Sequence, residues 1–280
     1  LPAEEQQKFT GPIIRLTVNM PGMGKPFVID VPHYTFLSLF SNFYESDECG
    51  VVKLIYGQGD RILEVGAGIG YISCLLGRLA DSVTSLEALA DYAVIAQSNV
   101  KINHLEGKVT ILPYVADTRN GRVNFNRLGI IYGSTILPPR PNYDVDKGEI
   151  VEADGIDINM LIEKFDVNAI HMDAEGYEKV LIPHIIDSGL ISKINKFSFE
   201  VHTHLLTKEE CFMMISRLVA SGLHPVIISG AAAFPNAPYV IMLFRGEDVE
   251  QARELRVDNG IGIVNDTNSF LDFMRGWANE

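Results

Sequence analysis

From about residue 61 onward, short runs rich in β-branched and aromatic residues alternate with longer runs of helical periodicity. A parallel sheet needs that order, because the chain must be carried back over the sheet by a crossover before the next strand can lie beside the last. Strands are expected at 61–65 (RILEV), 82–87 (SVTSLE), 108–115 (KVTILPYV), 167–173 (VNAIHMD), 195–201 (NKFSFEV), 224–229 (HPVIIS) and 239–244 (YVIMLF). Helices separate the first six. One of them opens on Thr207 and Glu210 in capping-box spacing and closes at Gly222. The last two strands are joined by SGAAAFPNAP, which is too short and too rich in Pro, Gly and Ala for a crossover, so they pair antiparallel. The expected fold is α/β: a seven-stranded, mostly parallel sheet with the last strand antiparallel and helices on both faces.

Residues 59–246 make up this expected domain. Residues 1–58 read as an N-terminal extension or cap with two strand-like runs, PIIRLTV and KPFVIDV, and 247–280 as a charged, helical C-terminal tail. The stretch 118–156 breaks the alternation with Gly, Pro and Asn, and is expected to be a hairpin or long loop that lines a substrate site. With 23 basic and 36 acidic residues the net charge is −13. No Lys/Arg block offers to neutralise a run of phosphates, so nucleic acid is not the expected partner. The longest unbroken apolar stretch, YVIMLF, falls far short of the roughly 20 residues of a membrane span. LPAEEQQKFTG has neither the basic nor the apolar region of a signal peptide, and the expectation is a soluble, cytoplasmic protein. Cys49, Cys74 and Cys211 are odd in number and lack CxxC spacing, which argues for inert thiols over disulfides or structural zinc.

Residues 62–73 read ILEVGAGIGYIS. Glycines at 66, 68 and 70 sit where the first strand must turn into a helix, and there the absence of a Cβ lets backbone N–H groups of Gly66, Ala67, Gly68 and Gly70 approach a ligand. The dinucleotide fingerprint GxGxxG wants its third glycine at position 71, which is Tyr71. Glu64, two residues before the glycines, would repel a diphosphate but suits a ligand that carries an ammonium and a sulfonium. S-adenosylmethionine carries both. Glu87, ending the second strand with Ala88 after it, is placed to accept hydrogen bonds from two ribose hydroxyls.

This spacing resembles the class I methyltransferases. HMDAEGYEKVL (171–181) resembles the KIDVEGxExxVL element of the FkbM family, FSFEVH (197–202) its fifth-strand ending, and NFYESDE (42–48) its upstream YE. The resemblance spans residues 42–202 and implies O-methylation of a hydroxyl on a sugar or secondary metabolite, with an amide nitrogen as the alternative acceptor. It also implies that Glu45 reaches over the cofactor and that Ala116 and Asp117 meet the adenine edge. The sequence departs from the family at Ala88–Ala90, where EPxP is usual, and at His171, where Lys is usual.

An alcohol is too weak an acid to be ionised at neutral pH, so transfer to oxygen needs a base. Strand alternation puts His171 and Asp173 on one face, with Glu175 at the following turn, and Glu200 and His202 on the next strand tip. His202 is the expected base, with Asp173 beside the nucleophile or the cofactor's methionine end and Glu175 close by. Glu178 reads either as part of this group or as a helix N-terminal charge. The expected metal content is none; the alternative is a divalent ion held by His171, Asp173, Glu200 and His202. Two other classes compete: an NAD-dependent dehydrogenase, and a non-catalytic protein that keeps a nucleoside pocket.

Overall fold

The computed structural model describes residues 12–18, 26–32, 46–127, 135, 148–203, 205–229, 240–246, 248–254 and 261–279. The first strands, β1 (Ile13–Val18) and β2 (Phe27–Pro32), form an antiparallel hairpin. Helix α1 (Ser46–Ile55) leads into β3 (Arg61–Val65), and α2 (Tyr71–Leu79), β4 (Ser82–Leu86), α3 (Ala90–Ile102) and β5 (Val109–Leu112) follow. The chain then makes β6 (Val115–Asp117), β7 (Gly121–Arg127) and β8 (Glu149–Asp157). Next come α4 (Ile158–Lys164), β9 (Ala169–Met172), α5 (Glu178–Asp187), β10 (Lys196–Glu200), α6 (Lys208–Ala220), β11 (His224–Ser229) and β12 (Val240–Phe244). The described chain ends with α7 (Asp248–Arg253), β13 (Ile261–Ile263) and α8 (Thr267–Ala278).

All seven expected strands lie in one sheet, in the order β13-β11-β12-β10-β9-β3-β4-β5. β12 is antiparallel to both of its neighbours, as the short connection required. The eighth strand, β13, comes from the segment read as a helical tail and pairs antiparallel with β11 through only three residues. Such a run is too brief to register as a strand pattern. A second difference is at 108–115, expected as one strand. β5 stops at Leu112, and Val115–Asp117 instead pairs with β8 in a separate three-stranded sheet, β6-β8-β7. The segment 118–156 is accordingly a hairpin, as one of its two expected forms.

Helices cover both faces because the parallel strands are apolar on both sides. On one face Leu75, Leu76, Ile95 and Ala96 of α2 and α3 pack with Phe27, Ile29 and Val31 of the hairpin. On the other, Leu181, Ile185, Ile215, Leu218 and Trp277 of α5, α6 and α8 pack over Phe197 and Phe199. Each fully buried large side chain contributes about 1.5–3 kcal/mol relative to its exposed state. α6 has the expected capping box between Thr207 and Glu210. Among the described residues no helix is long and apolar enough to cross a membrane.

Candidate active site

The sheet changes direction of travel between β3 and β9: from β3 the chain runs outward through β4 to β5, whereas β9 leads the other way to β10. Open α/β sheets bind their ligands outside the strand ends at such a point. Here the two strand tips touch. The Asp173 amide donates to the Val65 carbonyl (2.9 Å), and a Cβ on Gly66 would overlap the Asp173 carbonyl oxygen. Gly66 also has φ of 89°, so only glycine satisfies the turn. The amides of Gly66 and Ala67 both donate to the Leu86 carbonyl (3.0 and 2.9 Å), tying the turn to β4. Behind it, Asn99 of α3 donates to the Ile69 carbonyl (2.8 Å) and exchanges hydrogen bonds with the backbone of Asp30 in the hairpin.

Glu87 is buried at the tip of β4. Its Oε2 accepts from the Gly68 amide (2.7 Å) and its Oε1 from the Leu89 amide (2.8 Å). Burial pushes the carboxyl up to about 8; the two amides oppose this, and the charges of Asp91 and Asp173 add to it. Glu64, expected to face a ligand, is only 1% exposed, and its Oε2 accepts from the Ser73 hydroxyl (2.6 Å) on α2. Asp117 is likewise turned away from the glycines: its Oδ1 accepts from the Tyr177 hydroxyl and the Thr118 amide, both at 2.7 Å. With Ala116 buried beside it, Asp117 joins Thr118, Arg119, Arg122, Asn124 and Tyr177 around a cavity of about 470 Å³. Glu45 lies outside the described residues.

The acidic group forms around His202, which is 3% exposed. Its Nε2 lies 3.2 Å from Asp173 Oδ1, 3.3 Å from Glu175 Oε2 and 3.8 Å from Glu200 Oε1, and its Nδ1 lies 3.0 Å from Glu178 Oε1. Burial alone would lower the imidazole's pKa, but Glu178 and Asp173 outweigh it and hold the ring well above its ordinary value. The raised pKa favours the protonated ring, whereas a general base must begin without its proton. His171 is not part of the group. Its Nδ1 lies 2.7 Å from the Ser198 hydroxyl, which is itself 2.7 Å from the Tyr56 hydroxyl. β9 ends at Met172, so strand alternation does not carry over to Asp173.

Glu178, ambiguous in sequence, is a full member: it is 0% exposed and its Oε1 also accepts from the Ala174 amide (2.8 Å). Glu175 holds φ of 47°, a left-handed conformation costing a non-glycine residue roughly 1–2 kcal/mol. Glu175→Gly is thus expected to raise the melting temperature by about 2–4 °C, since strain and like-charge repulsion are both relieved. Turnover falls at the same time. Calorimetric melting beside an activity assay checks this pairing; a lowered melting temperature contradicts it.

The strand order, with the reversed β12 between β10 and β11 and an acid-flanked glycine turn at the switch, is that of a doubly wound, Rossmann-like α/β sheet. No family model matches the sequence, and no curated protein matches it. Solved structures with a similar course of the chain include the methyltransferase FkbM from Methylobacillus flagellatus KT, at 15% identity and a TM-score of 0.44, covering 76% of this chain and 55% of that one. Another is precorrin-6y C5,15-methyltransferase from Geobacter metallireducens GS-15, at 13% identity and a TM-score of 0.39, covering 72% and 88%. A third is an rRNA methylase from Streptococcus thermophilus, at 8% identity and a TM-score of 0.42, covering 72% and 95%.

Proposed function

We propose that the chain is an S-adenosylmethionine-dependent methyltransferase that methylates a hydroxyl of a small acceptor such as a sugar or secondary metabolite. Glu87 carries this reading: a buried carboxylate at a strand tip, beside a glycine turn that packs against the Asp173 carbonyl too closely to admit a Cβ on Gly66. Each Glu87 oxygen accepts one backbone N–H, and a carboxylate has about four lone-pair positions, so two ribose hydroxyls can be received as well. The acids gathered at the strand tips favour a sulfonium and an ammonium and disfavour a diphosphate. The overall charge of −13 favours a small acceptor over RNA.

When bound, S-adenosylmethionine would supply an activated methyl to the acceptor oxygen, with the thioether sulfur as leaving group. The chain's residues orient the partners and move the proton. Asp173 is the most open carboxylate of the group, its side chain 24% exposed, and it adjoins Gly66. It accepts the hydroxyl proton, with Glu175 alongside. The His202 cation keeps these carboxylates gathered.

With its carboxyl at about 8, Glu87 is roughly nine-tenths protonated at pH 7. Ribose hydroxyls donate to the ionised form, so binding is expected to release close to one proton per site at pH 7 and almost none above about pH 9. Calorimetry in buffers of different ionisation enthalpy reads this directly. Glu87→Gln is expected to abolish the release and weaken affinity about 10- to 100-fold, the worth of a charge-assisted hydrogen bond. No binding of S-adenosylmethionine or S-adenosylhomocysteine would overturn the proposal.

A further inference from the structure

Carboxylates crowd His202: Asp173, Glu175, Glu178 and Glu200 all lie within 3.8 Å of its ring nitrogens. Among the described residues neither Asp173 nor Glu178 pairs with a Lys or Arg; Lys179, next in sequence, turns to Glu210. Hydrogen bonding is incomplete too. Glu178 is 0% exposed and its Oε2 has no hydrogen-bond partner, and the buried Asp173 Oδ1 has none beyond its ion-pair contact. A buried carboxylate oxygen left so costs about 1–3 kcal/mol or more, which is hard to account for as packing.

We propose that Asp173, Glu178 and His202 bind a hard divalent cation of the Mg²⁺ or Mn²⁺ class, with Glu175 and Glu200 adding to the negative charge that draws it in. One ligand atom from each of the three lies within 4.8 Å of the others. Ligands about 2.1 Å from one ion stand roughly 3–4.2 Å apart in an octahedron, so small side-chain rotations close the site. Carboxylate oxygens with one imidazole suit Mg²⁺ or Mn²⁺, and no cysteine belongs to the group, which disfavours soft ions. His202 ligates through a ring nitrogen that has given up its proton, so the ion takes that proton's place. The ligand set differs from the one expected from sequence, as Glu178 enters and His171 and Glu200 leave. For its purpose, lowering the acidity barrier of an acceptor hydroxyl beside Asp173, the site rests on the methyltransferase reading; its existence does not.

The test is a titration of the full chain, stripped with chelator, with Mn²⁺ followed by electron paramagnetic resonance and calorimetry. One saturable Mn²⁺ per chain is expected, together with a raised melting temperature. Asp173→Asn is expected to abolish saturable binding, and Glu178→Gln to weaken it at least about 10- to 100-fold. Circular dichroism of each variant establishes that it is folded. If the unaltered chain shows no saturable Mn²⁺ binding, or both folded variants bind as it does, the proposal fails. S-adenosylmethionine calorimetry on the same sample separates the two readings: Mn²⁺ binding without it sinks the enzyme and keeps the ion, and the converse sinks the ion alone.

Discussion

Gly66→Ala is expected to lower the melting temperature by roughly 5–10 °C and to abolish binding of S-adenosylmethionine. Two costs add. A φ of 89° is left-handed and costs an alanine about 1–2 kcal/mol. The new methyl would also overlap the backbone carbonyl of Asp173, and backbone cannot rotate aside as a side chain can. The tip of β9 must move, straining the bond from the Asp173 amide to the Val65 carbonyl. Binding is lost because relieving this overlap displaces both the glycine turn and the tip of β9. Gly57→Ala is the control, since nothing lies within 4 Å of its added Cβ and its melting temperature should hardly change. Equal melting curves and ligand affinity for Gly66→Ala and the native chain would refute the assignment of this turn.

Asp173→Asn is expected to lower turnover about 10²- to 10⁴-fold, the usual worth of a positioned base, while changing S-adenosylmethionine affinity less than about tenfold. This separates an enzyme from a nucleoside-binding protein, in which a carboxylate away from the ribose has no turnover to lose. Labelled S-adenosylmethionine with an extract fraction containing the acceptor, followed by mass spectrometry of the labelled product, supplies the assay. Unchanged turnover in the folded variant would remove Asp173 from the chemistry. His202→Asn should act differently, lowering stability as well, because four carboxylates then lose their shared cation.

The parts legible in sequence were those written by local pattern. The seven strands followed from alternating periodicities, and the antiparallel β12 from a connection too short for a helix. The glycines at 66, 68 and 70 announced the turn, and Glu87 was found because the second strand ends there. Features that depend on remote partners were not legible. The charge of His202 is set by acids on α5 and at the tips of β9 and β10, and no spacing reveals that they outweigh burial. His171 was assigned to the wrong group because parity was extended one residue beyond the end of β9. The Ser73 partner of Glu64 was not legible, because it arrives only when α2 folds back. Asn99 carried a usable signal, a polar residue among apolar positions of α3, where burial demands a backbone partner.

Asn99 fastens two things at once. A single amide clasps the Asp30 backbone of the β1–β2 hairpin and the Ile69 carbonyl of the glycine turn. The hairpin is therefore not ornament on the periphery: tugging or trimming it slackens the turn that joins β3 to α2.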